Sequence, residues 1–325
     1  MVDVDKGLYQ LASDYFQGLS PLEFGEVGAD GSARLMYWFR HGSRICLGVK
    51  YDDISLNLRY IAYAKHFGDR GLLVPKILKI SSDNSSYLTS YLTGQTLAEQ
   101  LKGLNEDKIL PIYKQIIPLL MGFYKEGKSL FNDEPVRKFD RSLYKRDWDY
   151  FITEFVNYLN FNQLLPAGIE QASERLLSRL SLFNNQGFVH RDCQARNIVS
   201  HQEKWWFIDF QDGMLGPVSY DLASLLFGGS SALNFSQKKV LWDYYLTQDS
   251  YANKRDEFFH MALIRRLRSL GTYAKLGIRQ GKANFLGRLP DVIDDLINLR
   301  NEADILAEYQ PIFDFLAICQ TKLND

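Results

Sequence analysis

The sequence predicts an α+β protein of two lobes, a small β-rich lobe over residues 1–92 and a larger, mainly helical lobe over residues 93–325. Up to Leu92, short runs of β-branched and aromatic residues alternate with polar turns, which is typical of antiparallel strands. Beyond it, apolar residues recur at spacings of three and four, which indicates amphipathic helices. The pattern breaks at Thr93-Gly94-Gln95-Thr96, and this break is the predicted hinge between the lobes.

The first lobe is predicted to contain a leading helix, two hairpins and a helix between them. Apolar positions at helical spacing predict the leading helix from Val4 to Leu19 and the inner helix from Ile54 to Phe67. The predicted strands are Ala33 to Phe39, Ile45 to Val49, Val74 to Leu78 and Tyr87 to Tyr91. A turn of hairpin type, His41-Gly42-Ser43, joins the first two strands.

The second lobe is predicted to consist mainly of helices around one hairpin. They cover Leu97 to Leu101, Glu106 to Lys128, Tyr144 to Leu159, Ala167 to Asn184, Ser236 to Asp249, Lys254 to Lys275, Pro290 to Arg300 and Ala303 to Lys322. A proline inside a helix removes a backbone donor and clashes with the preceding turn, so Pro118 should kink or split its helix. No internal repeat or low-complexity segment interrupts the pattern.

Composition excludes several classes of protein. Lys and Arg number 38 against 39 Asp and Glu, so the net charge of -1 points neither to nucleic acid nor to an anionic membrane. Three cysteines far apart argue against a disulfide framework or a zinc site and fit a reducing compartment. The polar N-terminus lacks the features of a signal peptide, and the longest apolar run is far too short to span a bilayer. We therefore expect a cytoplasmic protein.

Three polar side chains within residues 188–226 lie on either side of a short apolar segment. Asp192 follows His190-Arg191, Asn197 stands five positions after Asp192, and Asp209 ends the apolar run 205–208. Residues 198–208 have the pattern of a hairpin with a polar turn. Such a hairpin would bring Asn197 and Asp209 together at its open end.

These residue types suit phosphoryl transfer from ATP to a hydroxyl group. That reaction requires a carboxylate that orients the alcohol and accepts its proton, and a Mg²⁺ ion held by oxygen ligands against the phosphates. Asp192 fits the first role, and Asn197 and Asp209 fit the second. Taken singly, each residue is more often a turn, cap or core residue. Taken together, they match the catalytic and metal loops of kinases.

The segment 188–226 resembles the small-molecule branch of the protein-kinase-like fold, which contains aminoglycoside phosphotransferases and choline kinases. The residues 190–197, 208–212 and 216–226 look most like the anomeric amino-sugar kinases of bacterial cell-wall recycling, which phosphorylate N-acetylmuramic acid and N-acetylglucosamine. The resemblance implies a two-lobed fold with ATP in the cleft, Asp192 as the base, and Asn197 with Asp209 as magnesium ligands. It covers nearly the whole chain.

Two departures from the protein-kinase pattern favour a small acceptor. Gln211 stands where protein kinases have the glycine after Asp-Phe, and about a dozen residues separate Asp209 from Asp221, too few for an activation loop. A protein substrate is therefore not expected. Asp221 opens an apolar helical run and could be a simple N-cap. The resemblance instead implies that it supports the catalytic loop.

A glycine-rich loop precedes the first predicted hairpin. Gly28, Gly31 and Ser32 lie in it, and backbone N–H groups of such a turn can approach phosphate. The spacing differs from the usual G-x-G-x-x-G, and three glycines also occur in plain turns. Its place upstream of the catalytic segment favours the nucleotide loop. In the resembled family this loop often reads Gly-Ser-x-Arg, as residues 31–34 do, which adds Arg34 to the expected site.

Lys50, at the end of the second strand, is the candidate for the lysine that contacts the α- and β-phosphates of ATP. The following helix contains no Glu to pair with it, and Asn57 stands near the expected position. Either another carboxylate pairs with Lys50, or Arg34 does part of its work. Adenine is expected to bond to the backbone at Tyr91-Leu92, beside the hinge.

The acceptor is the least determined part of the prediction. The basic run Ile264 to Arg268 is either a solvated helix face or a contributor to the acceptor pocket. Because a pocket for a polycationic aminoglycoside should be rich in Asp and Glu, these arginines favour a neutral or anionic sugar over an aminoglycoside or choline. The missing helix Glu also leaves open a catalytically inactive nucleotide-binding protein.

Overall fold

The computed structural model describes residues 4–28, 34–131, 137–183, 187–247 and 254–324. Its first part is a five-stranded antiparallel sheet in the order β1-β2-β3-β5-β4. The strands are β1 (Glu23–Glu26), β2 (Leu35–His41), β3 (Arg44–Lys50), β4 (Ile77–Ile80) and β5 (Ser86–Ser90). Only β1, which is four residues long, was not predicted from the sequence. The predicted α+β class, with strands in the first part and mainly helices in the second, is confirmed.

One helix covers each face of this sheet. Helix α1 (Lys6–Tyr15) packs on one face with Phe39, Cys46 and Leu88, and α2 (Ile54–Asp69) lies on the other. Gly48 faces α1 as well, because a Cβ atom there would lie 2.8 Å from the Phe39 ring. Since side chains alternate along a strand, residues on β2 and β3 divide cleanly between the two faces.

The second part is helical, as predicted. Its helices are α3 (Leu97–Leu101), α4 (Glu106–Glu126), α5 (Arg141–Phe151), α6 (Ile169–Leu180), α7 (Ser219–Phe227), α8 (Phe235–Leu246), α9 (Arg255–Ala274), α10 (Leu289–Glu302) and α11 (Gln310–Asn324). Pro118 does not split α4, which is continuous through this residue. Helices α5 and α9 each continue as a π-helical turn, a feature often found at functional sites.

The predicted hairpin is present in the middle of the helical part. Strands β7 (Ile198–His201) and β8 (Lys204–Phe207) pair with Ile198 opposite Phe207. Gln202 and Glu203 form the turn with positive φ angles of 50° and 58°, as in the tight turns that match strand twist. A second small sheet, β6 (Gly187–Val189) with β9 (Met214–Gly216), brackets it.

Residues 93–96, the predicted hinge, and the hairpin are in direct contact. The Ser200 N–H donates to the Gln95 carbonyl at 2.9 Å. A Cβ atom at Gly94 would lie 1.4 Å from the Ser200 carbonyl oxygen, so only glycine permits this approach. Thr96 then starts α3 with a capping box completed by Glu99. The chain therefore leaves the sheet and reaches the hairpin within a few residues. No helix in the described ranges is long and apolar enough to cross a membrane.

Candidate active site

Asp221 anchors the loop that precedes the hairpin. It lies in the first turn of α7, whose N-cap is Val218, and its side chain is buried. Its carboxylate accepts the His190 N–H at 2.5 Å and the Arg191 N–H at 2.9 Å. Burial raises the pKa of Asp221 to about 6. Asp221 is thus not an N-cap but the support that holds Arg191 at a φ of 73°.

His190 connects this loop to the end of the hairpin. Its Nε2 lies 2.8 Å from the Ile208 carbonyl and therefore donates to it. Its Nδ1 then accepts the Asp192 N–H, at 3.3 Å. This pair of bonds selects one tautomer of a buried ring. As a result, Asp192 and the residue before Asp209 are held through a single side chain.

Asp192 sits within a set of donors. Its Oδ2 accepts from Arg196 Nη2 at 2.8 Å and from Asn197 Nδ2 at 3.0 Å, and its Oδ1 accepts from the Gln194 amide. Arg265 Nη2 lies 4.0 Å from Oδ1. Sequence reasoning did not identify Gln194 or Arg196 as neighbours of Asp192, although their offsets of two and four residues could have indicated it.

The surroundings of Asp192 set its charge. Burial raises its pKa, but the positive charges of Arg196 and Arg265 outweigh burial, and the pKa lies below its usual value. The carboxylate is therefore ionised at neutral pH. Because 32% of the side chain remains exposed, it can also meet a ligand. Asp192 has the charge and access that a base for a hydroxyl group requires.

The two proposed metal ligands lie at the open end of the hairpin. Asn197 donates through its side-chain amide to Asp192, and its backbone carbonyl accepts the Ile208 N–H at 3.0 Å. Asp209 has a φ of 64°, and its Oδ1 accepts from Gln211 Nε2 at 3.0 Å. An amide oxygen and a carboxylate are the hard donors that Mg²⁺ prefers. In the described ranges, no cluster of three or more His, Cys, Asp or Glu side chains is arranged to hold a metal ion.

Helix α2 contacts the segment after Asp209, and it contains no glutamate. Tyr60 stacks on Phe210 with ring centroids 4.8 Å apart and on Tyr87 with centroids 5.2 Å apart. Arg59 Nε donates to the Gln211 carbonyl at 3.2 Å, and Tyr63 donates to the Gly213 carbonyl at 3.2 Å. Aromatic stacking and backbone hydrogen bonds therefore couple the sheet to the catalytic segment.

Arg34 connects the sheet to Asp209 directly. It immediately precedes β2 on the face that carries Met36, and its Nη1 lies 3.0 Å from Asp209 Oδ1. Its guanidinium also lies over the Tyr51 ring, 5.6 Å from the centroid. Of the predicted nucleotide loop, Gly28 follows β1 and is exposed, whereas Gly31 and Ser32 lie outside the described residues.

Lys50 lies on the opposite face of the same sheet. It shares this face with Cys46 and Gly48, against α1, and its Nζ lies 2.7 Å from Asp5 Oδ2. The hydrogen bond to Asp5 raises the pKa of Lys50. Lys50 therefore pairs with a carboxylate outside α2, which was the first of the two predicted alternatives. The structure does not bring Lys50 together with Asp192, Asn197 or Asp209.

A cavity of about 930 Å³ opens over Asp192 and Asp209. Its cationic lining residues are Lys102, Arg146, Arg191, Arg196, Arg265, Arg268 and Arg288, and its acidic lining residues are Asp192, Asp209 and Asp212. Of the basic run 264–268, Arg265 and Arg268 line this cavity, and Arg266 is buried against Asp295. The alternative of a solvated helix face is therefore wrong.

The comparisons with known proteins agree with this geometry. The profile of the phosphotransferase enzyme family matches residues 44–256, which is more than half of the chain. The chain belongs to this family. It is a phosphotransferase that acts on hydroxyl groups of small molecules.

Curated relatives of this phosphotransferase include two bacterial sugar kinases. The N-acetylmuramate/N-acetylglucosamine kinase of Pseudomonas aeruginosa is 25% identical over 83% of this chain and 81% of its own. The protein of the same name from Neisseria meningitidis is 25% identical over 91% of this chain and 89% of its own. Each alignment leaves out less than a fifth of this chain.

Solved structures share the fold at lower identity. The choline kinase LicA of Streptococcus pneumoniae superposes with a TM-score of 0.60 at 15% identity, over 89% of this chain and 98% of its own. A ternary complex of an aminoglycoside phosphotransferase with ADP and hygromycin B superposes with a TM-score of 0.53 at 15% identity, over 94% and 99% of the two chains. The phosphotransferase described here therefore has the fold of enzymes whose acceptors differ widely.

Proposed function

We propose that this phosphotransferase transfers the γ-phosphoryl group of ATP, with Mg²⁺, to the anomeric hydroxyl of N-acetylmuramic acid or N-acetylglucosamine in the cytoplasm. The observation that supports this most is the ionised, partly exposed Asp192 in a cavity whose other charged residues are mainly cationic. The names of the two bacterial relatives supply the sugar.

Asp192 would act on the acceptor hydroxyl. Its exposed edge would accept a hydrogen bond from that hydroxyl, align the oxygen with the phosphoryl group, and take the proton as the new bond forms. Arg196 and Arg265 keep the carboxylate ionised beforehand. Because both side chains line the cavity, their charges would also favour the negative charge of the transferring group.

Asn197 and Asp209 would hold the magnesium ion, which would neutralise negative charge on the nucleotide phosphates when bound. The donation of the Asn197 amide to Asp192 leaves its oxygen available for a cation. One oxygen of Asp209 accepts from Arg34 and Gln211, and the other oxygen remains for the ion. Loop, hairpin and helix α2 thus fix both ligands before the ion binds.

The nucleotide would bind between the lobes, which we divide at residue 92. Its phosphates would meet the loop of Gly28, Gly31 and Ser32, and its adenine would bond to the backbone of Tyr91 and Leu92 after β5. We assign the main cationic contact with the phosphates to Arg34, because it lies on the cleft face beside Asp209. Lys50 was the expected residue, but its placement against Asp5 favours a structural role.

The charge of the cavity argues against the other acceptors of the fold. Its described lining contains three carboxylates, all on the catalytic segment between Asp192 and Asp212, and seven cationic side chains. A polycationic aminoglycoside would meet arginines where it needs acidic partners. Choline would likewise lack a carboxylate away from the catalytic residues. A neutral or anionic sugar meets neither difficulty.

An acceptor panel tests the proposal. ADP release would be measured with ATP and Mg²⁺ against N-acetylmuramic acid, N-acetylglucosamine, glucosamine, kanamycin and choline, with Asp192→Asn as the blank. We expect turnover on the N-acetylated sugars alone. Turnover on kanamycin or choline would keep the mechanism and overturn the substrate. ADP release equal to the blank on every acceptor would contradict the proposed function.

A further inference from the structure

Three of the seven cationic residues of the cavity lie beside Asp192 or pair with a buried carboxylate. Arg196 binds Asp192, and Arg265 donates to Ser224 at 2.8 Å beside it. Arg268 donates to the buried carboxylate of Asp147 at 2.6 Å. These three arginines therefore already contact polar groups that this chain supplies.

Arg288 differs from these residues. In the described part of the chain it forms no ion pair, and its one hydrogen bond there is a long one, 3.4 Å to the Gly229 carbonyl. The guanidinium lies 5.2 Å from the centroid of Phe285 and 6.0 Å from that of Tyr273. Two aromatic rings thus hold a half-buried guanidinium in place, without an acidic partner, at the wall of the cavity.

The guanidinium of Arg288 packs closely against the backbone at Gly229. A Cβ atom at Gly229 would lie 2.0 Å from Tyr273 Oη and 3.1 Å from Arg288 Nη1, so a side chain there would displace Tyr273 and crowd Arg288. The preceding residue, Gly228, lies against the side chain of Gln194. Since Gln194 donates to Asp192, two successive residues of one turn connect Arg288 to the proposed base.

We infer that Arg288 binds a carboxylate on the acceptor and makes this enzyme prefer an anionic N-acetylated sugar over its neutral counterpart. The inference rests on the proposed function. N-acetylmuramic acid differs from N-acetylglucosamine by a lactyl ether that carries one carboxylate. A planar guanidinium can bind a carboxylate through two parallel hydrogen bonds. The rings of Phe285 and Tyr273 provide an apolar wall beside it for the uncharged part of the sugar.

The exposed cations of the cavity provide a matched control. Arg146 also lines the cavity, but it is exposed and is not seated between aromatic rings. Arg288→Met and Arg146→Met remove the same charge from the same cavity. If the cavity attracts anions only through its general charge, both variants should change the preference for the anionic sugar equally. If Arg288 binds the carboxylate, only Arg288→Met should change this preference.

The test is the ratio of kcat/KM for N-acetylmuramic acid to that for N-acetylglucosamine. Loss of a hydrogen bond to a charged group predicts a roughly tenfold or larger fall of this ratio in Arg288→Met, carried by the KM for N-acetylmuramic acid. We expect N-acetylglucosamine kinetics to change less than about twofold, Arg146→Met to keep the ratio, and Arg288→Lys to recover part of it.

Three results would overturn the inference. Equal losses on both sugars in Arg288→Met would make the residue structural, and equal changes of the ratio in both Met variants would replace the site by a diffuse field. Unchanged kinetics on both sugars in Arg288→Met would remove its role. Wild-type enzyme that phosphorylates neither sugar would defeat the proposed function as well, and that result is visible before any variant is compared.

Discussion

Two ion pairs on opposite faces of one sheet have different meanings. On the face toward α2, Arg34 forms an ion pair with Asp209, 175 residues away in sequence. On the outer face, toward α1, Lys50 forms an ion pair with Asp5 at the N-cap of α1. Both pairs unite a basic residue of the sheet with an aspartate. Only the first lies among the side chains that would handle phosphate. The pleat of β2 and β3, rather than residue type, therefore decides which cation lies beside Asp209.

The largest effect should come from Asp192→Asn, which sets the scale for the other variants. Loss of the base should lower kcat by roughly 10²–10⁴-fold, the usual contribution of general base catalysis. ADP affinity should stay within about threefold, because Asp192 is placed at the acceptor rather than the nucleotide. Steady-state kinetics and calorimetric titration with ADP measure the two quantities. Turnover near that of the wild type would remove Asp192 from the mechanism.

The next effect separates the two faces. Arg34→Met should lower kcat/KM for ATP by roughly 10- to 100-fold, as expected when a charged group loses its hydrogen-bonding partner. The variant retains an apolar side chain over Tyr51, so folding should be preserved. The initial-rate dependence on ATP concentration measures this loss, and the thermal transition checks the fold. An Arg34→Met enzyme with unchanged ATP kinetics would leave the phosphate contact to another residue.

A third change tests whether α2 could carry an acidic residue. Asn57 is buried and donates its amide to the carbonyls of Tyr51, Asn84 and Ser85. Asn57→Asp would place a carboxylate against three acceptors and should lower the free energy of unfolding by roughly 2–4 kcal/mol. Urea denaturation measures the difference. Stability equal to that of the wild type would show that this helix tolerates the charge that protein kinases use.

The smallest effect is expected on the outer face. Lys50→Met removes the pair with Asp5, whose side chains are 31% and 20% exposed, and should cost no more than about 1 kcal/mol of stability. Asp5 keeps its capping bond to the Leu8 N–H, so α1 should persist. ATP kinetics should remain within about twofold, because no phosphate contact is lost. A loss of ATP affinity as large as that of Arg34→Met would reverse the comparison.

The catalytic hairpin was predictable because its determinants are local. A β-branched pair, a polar turn and an aromatic return strand occur within a dozen residues, and the structure pairs Ile198 with Phe207. The support of the loop by Asp221 was expected only through the resemblance. The pairing of Asp192 with Arg196 also depends on sequence neighbours, because the two residues stand four positions apart.

The cations could not be placed from the sequence, because their positions depend on which helix covers which face. Lys50 has the residue type and strand position of a phosphate-binding lysine, but nothing local shows that α1 covers its face. Arg34 finds Asp209 only after the lobes have assembled. Arg265 and Arg268 reach the cavity because α9 packs beside α7, a contact between helices that amphipathic spacing alone does not determine.

The phosphorus NMR spectrum of the product tests the central claim most directly. With ATP, Mg²⁺ and N-acetylmuramic acid, the account predicts a new phosphomonoester signal that couples to the anomeric proton and disappears after mild acid treatment. Asp192→Asn enzyme should give no such signal in the same time. A product whose phosphorus couples to the methylene protons of carbon 6, or a signal that appears only with kanamycin or choline, would contradict the account.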